Sequence, residues 1–163
     1  MENTFKYTVA GHTFCVTLPE GYSAEDYLKP YAPFTEPADK APLFTLELRI
    51  APNIRDKVTG EVLQCLNDEP PYFWIFEEED GSYSFGFSYT KAHPDCVLKV
   101  SAVKEESVVY VGSSVADRIA EFAISNAVML LYAFFSAPYD TMMVHASVIA
   151  HGGHGYMFLG KSG

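Results

Sequence analysis

Short runs in which apolar and polar residues alternate fill the first two-thirds of the chain, and they constrain its fold more than any other feature. The run from Tyr83 to Tyr89 alternates without a fault, with aromatic residues at the odd positions and serine or glycine at the even ones. Successive side chains of a strand point to opposite faces, so this pattern predicts a strand with one buried face. We interpret the aromatic face as half of a sheet core rather than as a ligand platform.

Similar runs occur on both sides of this one, separated by residues that favour turns. The spacing and the turn residues predict an antiparallel meander, which opens with a hairpin around Gly11. The strands predicted in this way are residues 5–9, 12–18, 43–50, 60–66, 72–77, 83–89, 97–103 and 108–111.

A single long helix is predicted at about residues 114–135. Ser114 and Asp117 match a capping box, apolar residues follow at helical spacing, and Pro138 closes the segment. The later turns are apolar nearly all round, and we expect the stretch 122–135 to be too short for a bilayer and to form a buried helix. The fold class is therefore α+β: a mostly antiparallel meander, one long buried helix and a carboxyl-terminal hairpin. We divide the chain into a β-rich region, 1–112, and a second region, 113–163.

Charge and cysteine content narrow the partners and the compartment. The net charge is −10 with only 11 Lys and Arg residues, so neither nucleic acid nor an anionic membrane is an expected partner. The three cysteines are scattered and lack the spacing of a metal site. No signal peptide is recognisable at the amino terminus, and we expect a cytoplasmic protein with reduced thiols.

The carboxyl end carries the most specific pattern. Residues 142–150 and 155–159 read as two strands joined by a tight Gly-Gly turn, and the second strand leads directly into Gly160-Lys161-Ser162-Gly163. A phosphate-binding loop reads G-x-x-x-x-G-K-[S/T] after a strand, and these four residues fit its first four positions. Lys161 occupies a variable position, so it does not correspond to the lysine that touches phosphate.

The wider segment H-A-S-V-x(4)-G-x-G-Y-x-F-x-G-x-S-G, which starts at His145, resembles the approach to the nucleotide site in the HPr kinase/phosphorylase family and in related phosphoenolpyruvate-carboxykinase-like kinases. The resemblance covers roughly residues 115–163. It implies an ATP- and Mg²⁺-dependent kinase that phosphorylates a protein serine or a small-molecule hydroxyl, with His145 lining the site. The groups that perform the chemistry in the family would all follow Gly163. We therefore assign no catalytic residue to this chain and expect it to be inactive alone, without bound ATP.

Other interpretations of the same residues stay open. His145 fits a structural strand histidine as well as a site-lining one, and we expect no metal at His151 and His154. The acidic segments 68–69 and 77–80 are interpreted as solvated turns. The chain could instead be a non-catalytic ligand- or partner-binding regulatory module with a vestigial nucleotide loop. Exposed apolar surface on the final hairpin predicts a homo-oligomer.

Overall fold

The computed structural model describes residues 3–35, 41–101, 106–144 and 146–160. Short 3-10 helices cover Lys29–Phe34, Ile54–Lys57 and Ala137–Tyr139. The remaining elements are β1 (Asn3–Val9), β2 (His12–Leu18), α1 (Ala24–Tyr27), β3 (Phe44–Ala51), β4 (Glu61–Cys65), β5 (Tyr72–Glu77), β6 (Tyr83–Ser88), β7 (Cys96–Lys99), β8 (Ser107–Gly112), α2 (Ala116–Ser136), β9 (Ser147–His151) and β10 (His154–Phe158).

Strands β1 to β8 form one mixed sheet in the order β1-β2-β3-β8-β7-β6-β5-β4. The first hairpin and the antiparallel meander from β4 to β8 are confirmed, and so is the α+β class. Strand β3, however, lies parallel to both of its neighbours, β2 and β8. Alternation reports which face of a strand is buried but not which strands lie beside it, so these two parallel pairs were not predicted.

Helix α2 packs against one face of this sheet. Its buried side consists largely of alanines, which let the helix lie close to the strands, with Ile124 and Leu131 fully buried between them. Met129 and Phe134 on the same helix are exposed. The single long helix is confirmed, but it is buried along one face and not all round. The alanines in question are Ala116, Ala120, Ala123 and Ala127.

The aromatic face of β6 lies beneath α2. Phe87 is fully buried, the Phe85 ring lies 5.6 Å from that of Phe134, and the Tyr89 ring 4.6 Å from that of Phe122. Phe85 and Phe87 therefore belong to the sheet core, as interpreted, but Tyr83 and Tyr89 at the two ends of the run are exposed. The opposite face, with Ser84 and Ser88, is buried as well.

The start of α2 differs from the prediction. Val115 is the N-cap residue and no side chain caps the helix, so the capping box between Ser114 and Asp117 does not form. The helix begins one residue later than a Ser114 cap requires, because the chain first turns through a bond from the Val115 amide to the Gly112 carbonyl.

The apolar helical segment is also longer than predicted. Together with the 3-10 turn it spans Ala116–Tyr139 and contains an 18-residue window with a mean hydropathy of 1.6, so by length and composition alone it could cross a membrane. The predicted apolar stretch 122–135 lies within this longer helical segment. The packing of α2 against the sheet nevertheless fits the core helix of a soluble protein, in which small side chains face the strands.

The turn between β1 and β2 offers a test of local strain. Ala10 and Gly11 both have positive φ, 47° and 82°, and alanine is disfavoured in this region, whereas Asn-Gly is the preferred pair in such a hairpin. We expect Ala10→Asn to raise the free energy of unfolding by about 0.5–1 kcal/mol, measured by urea denaturation. Gly11→Ala should have the opposite sign, and a loss of stability in both variants would contradict this account.

Candidate functional site

The carboxyl-terminal hairpin that carries the predicted site forms a separate two-stranded sheet. His151 pairs with His154 and Ser147 with Phe158, and the connecting residues Gly152 and Gly153 have φ of 59° and 77°. This confirms the predicted hairpin and its Gly-Gly turn, since a two-residue turn of this kind needs positive φ at both positions. Strand β9 starts at Ser147, five residues after the predicted start.

The hairpin is exposed along its whole length. Within the described ranges, β9 and β10 pair only with each other, and every residue of both strands is exposed. Val148 and Met157 project from one face, while Ile149 and Tyr156 project from the other. Strands that are apolar on both faces are typical of a sheet covered on both sides. The hairpin thus presents an apolar surface on which none of the described residues outside it forms a covering layer.

The described residues cover only part of the predicted nucleotide loop. Gly160 follows Leu159, the residue after β10, is exposed, and has no atom of the described residues within 4 Å of the place where a Cβ would stand. His145, Lys161, Ser162 and Gly163 lie outside the described residues. The described residues therefore include the strand before the loop and the first loop glycine, Gly160.

The histidines at the hairpin turn do not gather a metal-ligand set. His151 and His154 are opposite each other at the turn and exposed. Across the described ranges of the chain, no group of three His, Cys, Asp or Glu side chains is arranged to hold a metal ion.

A buried carboxylate lies where the sequence indicated a solvated turn. Glu78 is only 6% exposed, and it accepts hydrogen bonds from the Thr59 amide at 2.9 Å, the Thr59 hydroxyl at 2.6 Å and the Ser84 hydroxyl at 2.5 Å. The ammonium group of Lys99 lies 3.5 Å away. The interpretation of residues 77–80 as fully solvated was wrong at this position.

The electrostatics of Glu78 follow from these contacts. Burial alone would raise its pKa, but the hydrogen bonds from Ser84 and Thr59, together with the charge of Lys99, hold the pKa at about 2. A carboxylate that is ionised and fully hydrogen-bonded at neutral pH is poorly suited to accept or donate a proton in catalysis. Glu78 is therefore a structural group that ties residue 59 to β6 and β7. Thr59 and Lys99 come from other segments of the chain, so no local pattern could reveal these contacts.

An apolar cavity of about 360 Å³ lies on the helix side of the sheet. It is bounded by the Ala10 turn, the 3-10 helix Lys29–Phe34, α2 and residues 141–143, which connect α2 to the hairpin. The sequence contained no signal for it, because its walls meet only in the folded chain.

Comparisons of the chain with protein-family models, with curated proteins and with solved structures found no match.

Proposed function

We propose that the chain is the amino-terminal part of an HPr kinase-like, ATP-dependent kinase of the cytoplasm, which phosphorylates a protein serine or a small-molecule hydroxyl. The observation that carries the proposal is the tight hairpin whose second strand, β10, ends two residues before Gly160. A phosphate-binding loop is entered from a strand, since the strand aims the backbone N–H groups of the loop at the phosphates. Gly160-Lys161-Ser162-Gly163 has the order expected for the first half of such a loop.

The exposed surface of the hairpin supports the same proposal. Residues such as Val148 and Leu159, which are 63% and 69% exposed, would be costly to leave in water at about 25 cal/mol per Å² of apolar surface. In the kinase that we propose, β9 and β10 belong to the nucleotide-binding core, and the strands and helices that follow the loop cover both faces.

The register of the hairpin supports the proposal that His145 lines the nucleotide site. Ser147 pairs with Phe158, and an antiparallel register continued by two residues in the intact kinase would bring position 145 opposite Gly160. A histidine there would stand beside the first glycine of the loop, within reach of a bound nucleotide. This role remains a proposal, as does the assignment of Lys161, Ser162 and Gly163 to the loop.

In the proposed kinase, the residues of this chain would position the start of the phosphate-binding loop and would not take part in phosphoryl transfer. The group bound by the intact enzyme, MgATP, supplies the phosphoryl group, and the loop amides and loop lysine hold its β- and γ-phosphates. The open space around Gly160 is compatible with a backbone that approaches phosphate closely. The loop lysine, the Mg²⁺-binding hydroxyl and the base that receives the acceptor's proton would all follow Gly163.

Nucleotide binding tests the proposal directly. The chain 1–163 should show no measurable heat with MgATP in calorimetry, because half a loop has too few N–H donors and no helix N-terminus. A chain extended through the x-G-K-[S/T] sequence that we expect next, and through the domain it opens, should bind MgATP. In that longer chain, Lys161→Ala should leave affinity nearly unchanged, whereas alanine at the loop lysine should reduce it at least ~100-fold. A reading frame without that loop, or micromolar affinity in the shorter chain, would contradict the proposal.

The exposed hairpin also predicts that the chain 1–163 self-associates. We expect light scattering at increasing protein concentration to show a mass above that of the monomer, because covering the hairpin removes apolar surface from water. Phe158→Ser should shift the equilibrium towards monomer. The matched control is Leu66→Ser, since Leu66 is similarly exposed but lies beyond β4, away from the hairpin. A monomer at every concentration, or equal effects of the two substitutions, would count against a role of the hairpin.

A second candidate is a non-catalytic regulatory module that binds a ligand or a partner. The apolar cavity beside α2 favours it, since a pocket with mostly apolar walls and a few polar groups is typical of small-molecule sites. The two candidates are compatible if the module regulates the kinase to which it is joined.

A further inference from the structure

The cavity beside α2 is lined by buried aromatic residues on its inner side and by exposed methionines at its mouth. Phe14 on β2 and Tyr132 on α2 are buried in the core, and Tyr31 packs on Phe14 with ring centroids 5.8 Å apart. The mouth is lined by Met129, Met142 and Met143, all exposed. Methionine adapts its shape to what it contacts and is common at surfaces that accept apolar ligands.

Polar groups converge on the cavity at two places. At one end, Tyr31 and Ser125 share a hydrogen bond, which opposes the rise in the pKa of Tyr31 that burial causes. At the other, Thr141 Oγ1 lies 2.8 Å from His12 Nε2. The described lining residues include hydroxyl groups but no Asp, Glu, Lys or Arg. Because burying an unpaired charge is costly, such a lining selects against ions.

We propose that this cavity binds a neutral, mainly apolar small molecule that carries one hydroxyl or carbonyl group at the Ser125 end. An apolar cavity of about 150 Å³ is large enough for benzene, so a volume of about 360 Å³ suits roughly 9–14 non-hydrogen atoms. The ligand hydroxyl donates to or accepts from the Tyr31–Ser125 pair, and its apolar part lies against Phe14 and Val128. This inference is independent of the kinase proposal, because no wall of the cavity belongs to the nucleotide loop.

The test uses three probes with the same alkyl chain and different head groups: 1-octanol, octanoate and octylammonium. The methionine methyl groups, labelled with ¹³C, report binding by NMR. We expect 1-octanol to shift the Met129, Met142 and Met143 signals saturably and to leave Met157, which lies on the hairpin, unchanged. Octanoate and octylammonium should bind at least ~10-fold more weakly, because their charge must be desolvated.

Two substitutions locate the site. Met129→Trp should fill the mouth of the cavity and abolish the shifts of Met142 and Met143, and Met157→Trp is the matched control that should bind as the unaltered chain does. If Met129→Trp fails to fold, Ser125→Ala keeps the test, with an expected ~3- to 10-fold loss of octanol affinity from the missing hydrogen bond.

Several outcomes would overturn the inference. One is that 1-octanol shifts Met157 as much as the three cavity methionines; another is that octanoate binds as tightly as 1-octanol. A third is that the cavity methionine signals depend on protein concentration without any probe, which would make a second copy of the chain the occupant.

Discussion

Gly60→Ala is expected to lower the free energy of unfolding by about 2–3 kcal/mol, at the upper end of the usual cost of forcing an extra group into a packed site. A Cβ at position 60 would stand 1.8 Å from the carbonyl oxygen of Glu77 and 2.6 Å from the Cα of Glu78. Both are backbone atoms, so no side-chain rotation can relieve the overlap. The start of β4 would have to move away from β5, and the contact of Thr59 with Glu78 would weaken. Urea denaturation measures the loss.

Gly155→Ala is the matched control for this substitution. Gly155 is a residue of β10 and, like Gly60, is next to a neighbouring strand. Among the described residues, however, no atom stands within 4 Å of its Cβ position, and its φ is not positive. We expect a change of at most about 0.5 kcal/mol. Equal effects at positions 60 and 155 would show that steric overlap with Glu77 does not control the stability of this edge of the sheet.

Loss of the Glu78 charge is the second large effect that we expect. In Glu78→Gln the side-chain shape is kept, but the amide NH₂ group must face donors that now bond to a carboxylate, the Thr59 amide and the Ser84 hydroxyl. Leaving buried hydrogen-bonding groups unsatisfied costs about 1–3 kcal/mol, and denaturation near neutral pH should show a loss in the upper part of this range. Glu79→Gln is the control, because Glu79 is the exposed neighbour in the same turn.

The pH dependence of stability gives a separate measure of the same site. The pKa of Glu78 is lowered from 4.5 to about 2 in the folded chain. The unfolded chain therefore takes up a proton first as the pH falls, and the stabilisation from Glu78 is complete above about pH 4.5 and is lost progressively down to about pH 2. In Glu78→Gln this part of the acid destabilisation should disappear. An unchanged acid transition would mean that other carboxylates determine it.

Much of the secondary structure could be predicted because its signals are local. Strand β5 was predicted at its observed bounds, and the turns at Gly11 and at Gly152–Gly153 followed from the need for positive φ. The predicted capping box was wrong. Ser114 has the residue type and spacing of a cap, but a turn closed by the hydrogen bond from the Val115 amide to the Gly112 carbonyl makes the helix begin one residue later. The division of the chain at residue 112 remains a prediction.

The hairpin that precedes the candidate nucleotide loop could be predicted, since a strand, a Gly-Gly turn and a second strand are set by neighbouring residues. The loop itself remains a proposal. The partners of Glu78 and the walls of the apolar cavity could not be predicted. Thr59 and Ser84 are separated from Glu78 by 19 and 6 residues, and the cavity joins segments from residue 9 to residue 143.

By itself, then, the sequence determined which segments are strands, where the chain turns, that one long helix is present, and that a hairpin leads into Gly160. These features depend on side-chain alternation and on backbone preferences within a few residues. Only the tertiary structure decided that β3 lies parallel between β2 and β8, that Glu78 is buried, and that a cavity opens beside α2. Each of these depends on the packing of segments far apart in the chain, where burial and hydrogen bonding are shared between residues that no local pattern relates.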